Sequence, residues 1–207
     1  MIIRVEFGDE MLILSHAGHE LELTPNTMII IKNATEKDYF TLANEDLKVE
    51  FDGECLYIHS PASKKHENTV FNLLTIFKTY LKQNASLGEA IGSKFALKLP
   101  NGKRPEPDVV ILPAGTVNDD DSIYEGIPKV IIEILSPSTR DYDLADKRKW
   151  YKENSVPEIW FIDLEEKSVV VESIEPDGSY TEVKYFENTI ISKVLGNFKI
   201  KMEDLFL

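Results

Sequence analysis

The sequence predicts an α/β protein, an α+β arrangement in which a mixed β-sheet is flanked by helices, and three observations predict it. The middle of the chain runs helix, strand, strand, strand, helix, strand. Its strand segments are short and rich in β-branched residues: VVIL at 109–112, KVIIEIL at 129–135 and EIWFIDLE at 158–165. Its helical segments repeat apolar residues at helical spacing instead. A sheet with two apolar faces is stable when helices cover them, which gives the layered form.

The elements follow in chain order. Residues 2–31 alternate loosely as IIRVEF, MLILS, LELT and TMIIIK, short strands with Gly8-Asp9 and Thr24-Pro25-Asn26 as turns. TEKDYFTLANE, residues 35–45, is a short amphipathic helix with Thr35 as its N-cap. KVEFDGECLYIHS, residues 48–60, is two strands around the hairpin dipeptide Asp52-Gly53. The clearest helix follows. Ser63 caps it, His66 and Glu67 lie in its first turns, and Val70, Leu73, Leu74, Phe77, Tyr80 and Leu81 form its apolar stripe. EAIGSKFALKL and DVVIL are strand-like, separated by the Pro-rich NGKRPEPD, and the acidic NDDDSIYEG is a loop. The strand KVIIEIL, the helix DLADKRKWYKEN, the strand EIWFIDLE and the hairpin SVVVESIEPDGSYTEVKYF complete the pattern before a C-terminal tail.

Composition sets the outer bounds. The chain has 207 residues, enough for one domain with its own core, and 43% are hydrophobic and 29% charged. No apolar run approaches the ~20 residues of a membrane span, and the N-terminus lacks a signal-peptide pattern. A single cysteine, Cys55, excludes a disulfide framework and a multi-cysteine zinc site, and suits a reducing, cytoplasmic compartment. Cys55 lies beside apolar neighbours and is expected to be buried and inert. The net charge of -13 argues against a generic nucleic-acid binder. Its distribution is uneven: -8 over residues 1–60, +1 over 61–155 and -6 over 156–207. Lys147, Arg148, Lys149 and Lys152 cluster in the neutral middle, either as a local phosphate patch or as solubilising charge.

One residue breaks the strand pattern. Glu133 sits inside VIIEIL, where another β-branched residue would bury more easily. An ionised carboxylate in a core is costly unless it is paired or binds a cation. Side chains alternate along a strand, so Ile131, Glu133 and Leu135 share one face. The alternatives are an edge-strand glutamate facing water and a site residue near a strand's C-terminal end, where open α/β sheets expose functional groups. Asp108 follows Pro105-Glu106-Pro107 and opens VVIL. On a neighbouring strand it would converge with Glu133 on one hard cation, since carboxylates suit Mg²⁺.

Asp143, Lys147 and Tyr151 are spaced i, i+4 and i+8, one helical stripe. Either the stripe is solvated with an internal ion pair, or Lys147 turns back toward the carboxylates and a phosphate with Tyr151 beside it. A nucleophilic hydrolase at Ser136 or Ser138 finds no support, because no G-x-S-x-G elbow surrounds them.

These residues together resemble a known family. TEKDYFTLANE, the hairpin with its Asp-Gly-Glu, PEPDVVIL, and above all VIIEILSPSTRDYDLADKRKWYKENSVPEIWFID resemble the Uma2 family of restriction endonuclease-like proteins (DUF820), within the PD-(D/E)XK nuclease superfamily. The ending VLGNFKIKMEDLFL resembles the family's tail, so the likeness spans nearly the whole chain. The resemblance implies a restriction-endonuclease-like core over residues 61–187, with a β-rich N-terminal extension over 1–60 and a tail over 188–207 in one domain.

It also implies an endonuclease that hydrolyses DNA phosphodiester bonds with Mg²⁺ or Mn²⁺. Asp108 and Glu133 are then the metal-holding acids and Lys147 the catalytic cation; Glu67, His66, Asp143 and Tyr151 support them. Glu67 is the candidate for a further acid near the metal, His66 is either a site residue or a helix-start residue with a backbone contact, and Glu89 is a weaker candidate. A homodimer is expected, because the two strands of a duplex are related by two-fold symmetry. One departure stands out: the superfamily places a lysine two residues after the second acid, and here that residue is Leu135. That departure, with the acidic flanks, leaves a rival reading: a nuclease-fold binding module with little or no catalysis.

Overall fold

A computed structural model describes residues 3–7, 12–16, 19–23, 27–43, 47–196 and 198–206. In chain order the elements are β1 (Ile3–Phe7), β2 (Leu12–His16), β3 (His19–Leu23), β4 (Met28–Ile31), α1 (Glu36–Ala43), β5 (Val49–Phe51), β6 (Leu56–His59), α2 (Lys64–Gln83), β7 (Glu89–Gly92), β8 (Ala96–Lys98), β9 (Val109–Leu112), β10 (Ile123–Glu125) and β11 (Val130–Leu135). A continuous helical run follows, made of α3 (Arg140–Tyr142), a π-helical turn (Asp143–Lys147) and α4 (Arg148–Glu153). Then come β12 (Glu158–Asp163), β13 (Ser168–Ile174), β14 (Tyr180–Tyr185), β15 (Thr189–Ile191), β16 (Lys199–Lys201) and α5 (Met202–Leu205).

The centre is a six-stranded sheet in the order β14-β13-β12-β11-β9-β7. β11 and β12 run parallel, joined by the helical run, while the other neighbours are antiparallel. This is the expected mixed sheet. Alternation along β11 sorts its side chains onto two cores. Val130, Ile132 and Ile134 meet Val70, Leu73, Phe77 and Leu81 of α2. Ile131 and Leu135 meet Tyr142, Trp150 and Tyr151 of the helical run, with Tyr57 of β6 and Leu97 of β8. Burying a Leu- or Phe-sized side chain contributes roughly 1.5–3 kcal/mol, so the two layers pin the sheet from both sides. A third cluster joins α1 to β4, β5 and β6 through Ile31, Tyr39, Leu42, Val49, Phe51 and Ile58.

Local rules explain the helix starts. The Thr35 hydroxyl accepts the Asp38 N–H while Asp38 accepts from the Thr35 N–H at 2.9 Å, a reciprocal cap on α1. Ser63 caps α2 by accepting the His66 N–H at 3.2 Å, as its position suggested.

Several expectations change. EAIGSKFALKL does not stay in one sheet: β7 is the edge of the main sheet, whereas β8 pairs in parallel with β10, a strand inside the segment expected to be an acidic loop. The hairpin of β5 and β6 closes through the four residues between Phe51 and Leu56, with Asp52 N–H donating to Cys55 O at 3.2 Å and Gly53 at φ +98°. Cys55 is half-buried rather than buried, being on that loop. The C-terminal segment is no loose tail: Ile190, Leu195, Phe198, Ile200, Met202 and Leu205 pack into the α2 core. The turns expected at Gly8-Asp9 and Thr24-Asn26, and the end of the first helix at 44–45, lie outside the described residues.

Candidate active site

The site is built where β9 and β11 run side by side. Their ladder pairs Val130 with Ile111, Ile131 with Val110 and Ile132 with Val109. One step further in the same register sets Asp108 opposite Glu133, on the face that carries Ile131, Leu135, Val110 and Leu112. Ile134 N–H donates to Asp108 Oδ2 at 2.8 Å, which fixes the acid against the strand. Glu133 is 1% exposed on a central strand, so the edge-strand alternative is excluded. The proline-flanked approach delivers Asp108 just ahead of β9, as expected.

Two ion clusters meet here. Around Asp108, Lys48 Nζ lies 2.9 Å from Oδ1 and His66 Nε2 lies 3.1 Å from Oδ2. Burial alone would raise the Asp108 carboxyl, but Lys48 and His66 outweigh it and hold it well below the usual carboxylate range. Burial works against charge on His66 too, yet its hydrogen bond to Asp108 raises it above the usual histidine value.

The second cluster surrounds Lys147. Its ammonium lies 2.6 Å from Glu133 Oε1, 2.9 Å from Glu50 Oε1 and 3.5 Å from Asp143 Oδ1. Tyr151 donates its hydroxyl to Glu133 Oε1. Glu50 Oε2 pairs with His59 Nε2 at 2.9 Å, and its Oε1 accepts the Glu106 N–H at 2.8 Å. Burial opposes charge on Glu50, but Lys147 and His59 hold its carboxyl below the usual range. Burial raises Glu133 and Asp143 above that range against the pull of the same ammonium. Three carboxyl groups thus share one ammonium.

The stripe Asp143-Lys147-Tyr151 is buried, not solvated. The π-helical turn over Asp143–Lys147 widens the helix there and lets residues 143, 147 and 151 all face Glu133. The basic run splits as a result. Lys147 turns inward, Arg148 and Lys152 bind Glu172 on β13, and Lys149 pairs loosely with Glu153 at 3.8 Å. It is therefore no single phosphate patch.

Both clusters border a cavity of about 280 Å³. Two turns of like composition wall it: Ser60-Pro61-Ala62-Ser63 between β6 and α2, and Ser136-Pro137-Ser138-Thr139 between β11 and α3. Glu67 does not join the acids: its side chain is 55% exposed and, among the described residues, pairs with His66 Nδ1 at 3.4 Å. Glu89 pairs across to Leu112, at the end of β9 away from Asp108, and is exposed. His66 does both things asked of it, using its backbone at the helix start and its ring at Asp108.

The residues missed by sequence reasoning are Lys48, Glu50, His59 and Glu106. A signal for Glu50 existed, since it is another carboxylate inside an apolar strand, Val49-Glu50-Phe51. Three of the four come from the segment expected as an N-terminal extension. Among the described residues no three His, Cys, Asp or Glu side chains stand as a preformed metal-ligand set. The donor chemistry nonetheless suits a hard divalent cation: the oxygen donors of Asp108 and Glu133 border one cavity.

No helix among the described residues is long and apolar enough to cross a membrane. No curated protein matches the chain. In fold it is similar to a crystal structure from Anabaena variabilis, described as a "putative nuclease belonging to DUF820", with a TM-score of 0.67, 16% identity, and coverage of 84% of this chain and 97% of that one. The family model described as "Uma2: Putative restriction endonuclease" matches residues 36–203. The chain belongs to the Uma2 family.

Proposed function

We propose that this Uma2 member is a divalent-cation-dependent endonuclease that hydrolyses DNA phosphodiester bonds, with Mg²⁺ or Mn²⁺ as the cation. The observation that carries the reading is the placement of Asp108, just ahead of β9, opposite Glu133 on the neighbouring β11, both buried yet bordering one cavity. Asp108 and Glu133 would hold the cation. When bound, it supplies positive charge to the phosphate oxygens and makes water a better nucleophile. His66 keeps Asp108 oriented through Oδ2, and Tyr151 and Lys147 do the same for Glu133. The turns at 60–63 and 136–139 bring hydroxyl groups to the rim, where a phosphodiester backbone would lie. We read the chain as a single nuclease-like unit, acting as a homodimer on duplex DNA in the cytoplasm.

The test is cleavage of plasmid and single-stranded DNA by the purified full chain with Mg²⁺ or Mn²⁺. Asp108→Asn should slow cleavage by at least about 100-fold and abolish cation binding in calorimetry, while circular dichroism shows a folded protein. Wild type that leaves every DNA uncut and binds no cation would overturn the reading. The second reading, a binding module without catalysis, draws on the hydrocarbon at Leu135. It gains if wild type binds DNA but never cuts it.

A further inference from the structure

We propose that Lys48, and not Lys147, is the cation that meets the scissile phosphate, with Lys147 a positioning residue that acts through the carboxylates. The proposal rests on the nuclease reading above and assigns a role within the same site. Lysine presents three N–H donors and no acceptor. Those of Lys147 face Glu50, Glu133 and Asp143, and its side chain is 1% exposed. Lys147 also borders the cavity, but three carboxyl groups within 3.5 Å surround its ammonium and compete with any ligand for it. Among the described residues, Lys48 has one carboxylate partner, Asp108, and its side chain is 23% exposed while bordering the cavity. Donors on the Lys48 ammonium therefore remain for an anion held beside Asp108.

The backbone explains why Lys48 points there. It directly precedes β5, and its carbonyl accepts the His59 N–H at 3.1 Å, so it continues the strand. Residues two apart share a face. Lys48 and Glu50 look into the site, whereas Val49 and Phe51 pack into the α1 cluster. The triplet Lys48-Val49-Glu50 thus supplies, from a separate sheet, the lysine missing from Glu133-Ile134-Leu135. Leu135 shares the Glu133 face, is 8% exposed, and belongs to the apolar core with Tyr142 and Trp150. A lysine there would displace that packing, and Lys48 makes it unnecessary.

The experiment measures two things on the full-length chain. Anisotropy of a short fluorescein-labelled DNA oligonucleotide, with Ca²⁺ in place of Mg²⁺, gives affinity against salt; cleavage in Mg²⁺ gives rate. Lys48→Gln should lower the slope of log affinity against log salt by about one and slow cleavage about 100-fold. Lys48→Arg should restore most of both, because it returns the charge. Lys48→Met serves if Lys48→Gln does not fold. A charge-removed Lys48 variant that keeps the wild-type slope and rate overturns this assignment while leaving the nuclease reading intact. Wild type that neither binds nor cuts DNA overturns both.

Discussion

The two ion clusters differ in closure, and the difference separates support from contact. The Lys147 cluster is the more deeply buried: Glu50, Glu133, Asp143 and Lys147 are each no more than 3% exposed, and three carboxyl groups surround the ammonium. The Asp108 cluster opens onto the cavity through Lys48. A buried ammonium among three acids holds elements together, here β5, β11 and the π-helical turn. An ammonium with one partner and spare donors is placed to meet a ligand. Charge type alone does not tell these roles apart; the count of partners does.

The largest expected effect tests the closed side. Lys147→Met removes the ammonium shared by three buried carboxyl groups and takes from Glu50 a partner that holds it ionised, and leaving buried charge unpaired typically costs about 3–5 kcal/mol. Urea unfolding should show a midpoint far below wild type. A midpoint close to wild type would mean that the cluster is not the clasp its geometry suggests.

A second prediction separates the clusters by pH. Glu106 lies behind Glu50, its Oε2 has no hydrogen-bond partner among the described residues, and burial, with the Glu50 charge, pushes its carboxyl up to about 7. Its folded value thus exceeds its unfolded one, so the folded state keeps this proton longer. The associated stability is fully present below about pH 4.5 and is lost as pH rises to about 7. The change is of order 3 kcal/mol. Glu106→Gln should remove that pH dependence, read as the difference between wild-type and variant urea midpoints at pH 5 and pH 8. Parallel curves for the two proteins would refute it.

The smallest effect concerns the surface. Lys149 is exposed and only loosely paired with Glu153. Lys149→Ala should change stability by less than about 0.5 kcal/mol and leave the salt slope of DNA binding unaltered. A reduced slope would restore the basic run of the helix as a phosphate patch.

The sequence by itself determined the mixed sheet, the caps at Thr35 and Ser63, and the unusual positions of the carboxyl groups at 108 and 133. Each of these is a local signal: a periodicity, a cap residue, or a charge where a β-branched residue belongs. The convergence of Asp108 and Glu133 was legible only on the condition that their strands are neighbours, which the ladder of β9 with β11 meets. Lys48, Glu50 and His59 were not, although Glu50 carried the same local oddity as Glu133. They sit in a hairpin that does not pair with the main sheet, and only packing against the helical run brings it to the acids. The tertiary structure likewise decided which lysine is the more deeply buried. One turn of helix widened to a π-turn directs Lys147 inward, and spacing along the chain carries no record of that. Burial and partner count are properties of contacts between distant segments, so they emerge only once the chain has folded.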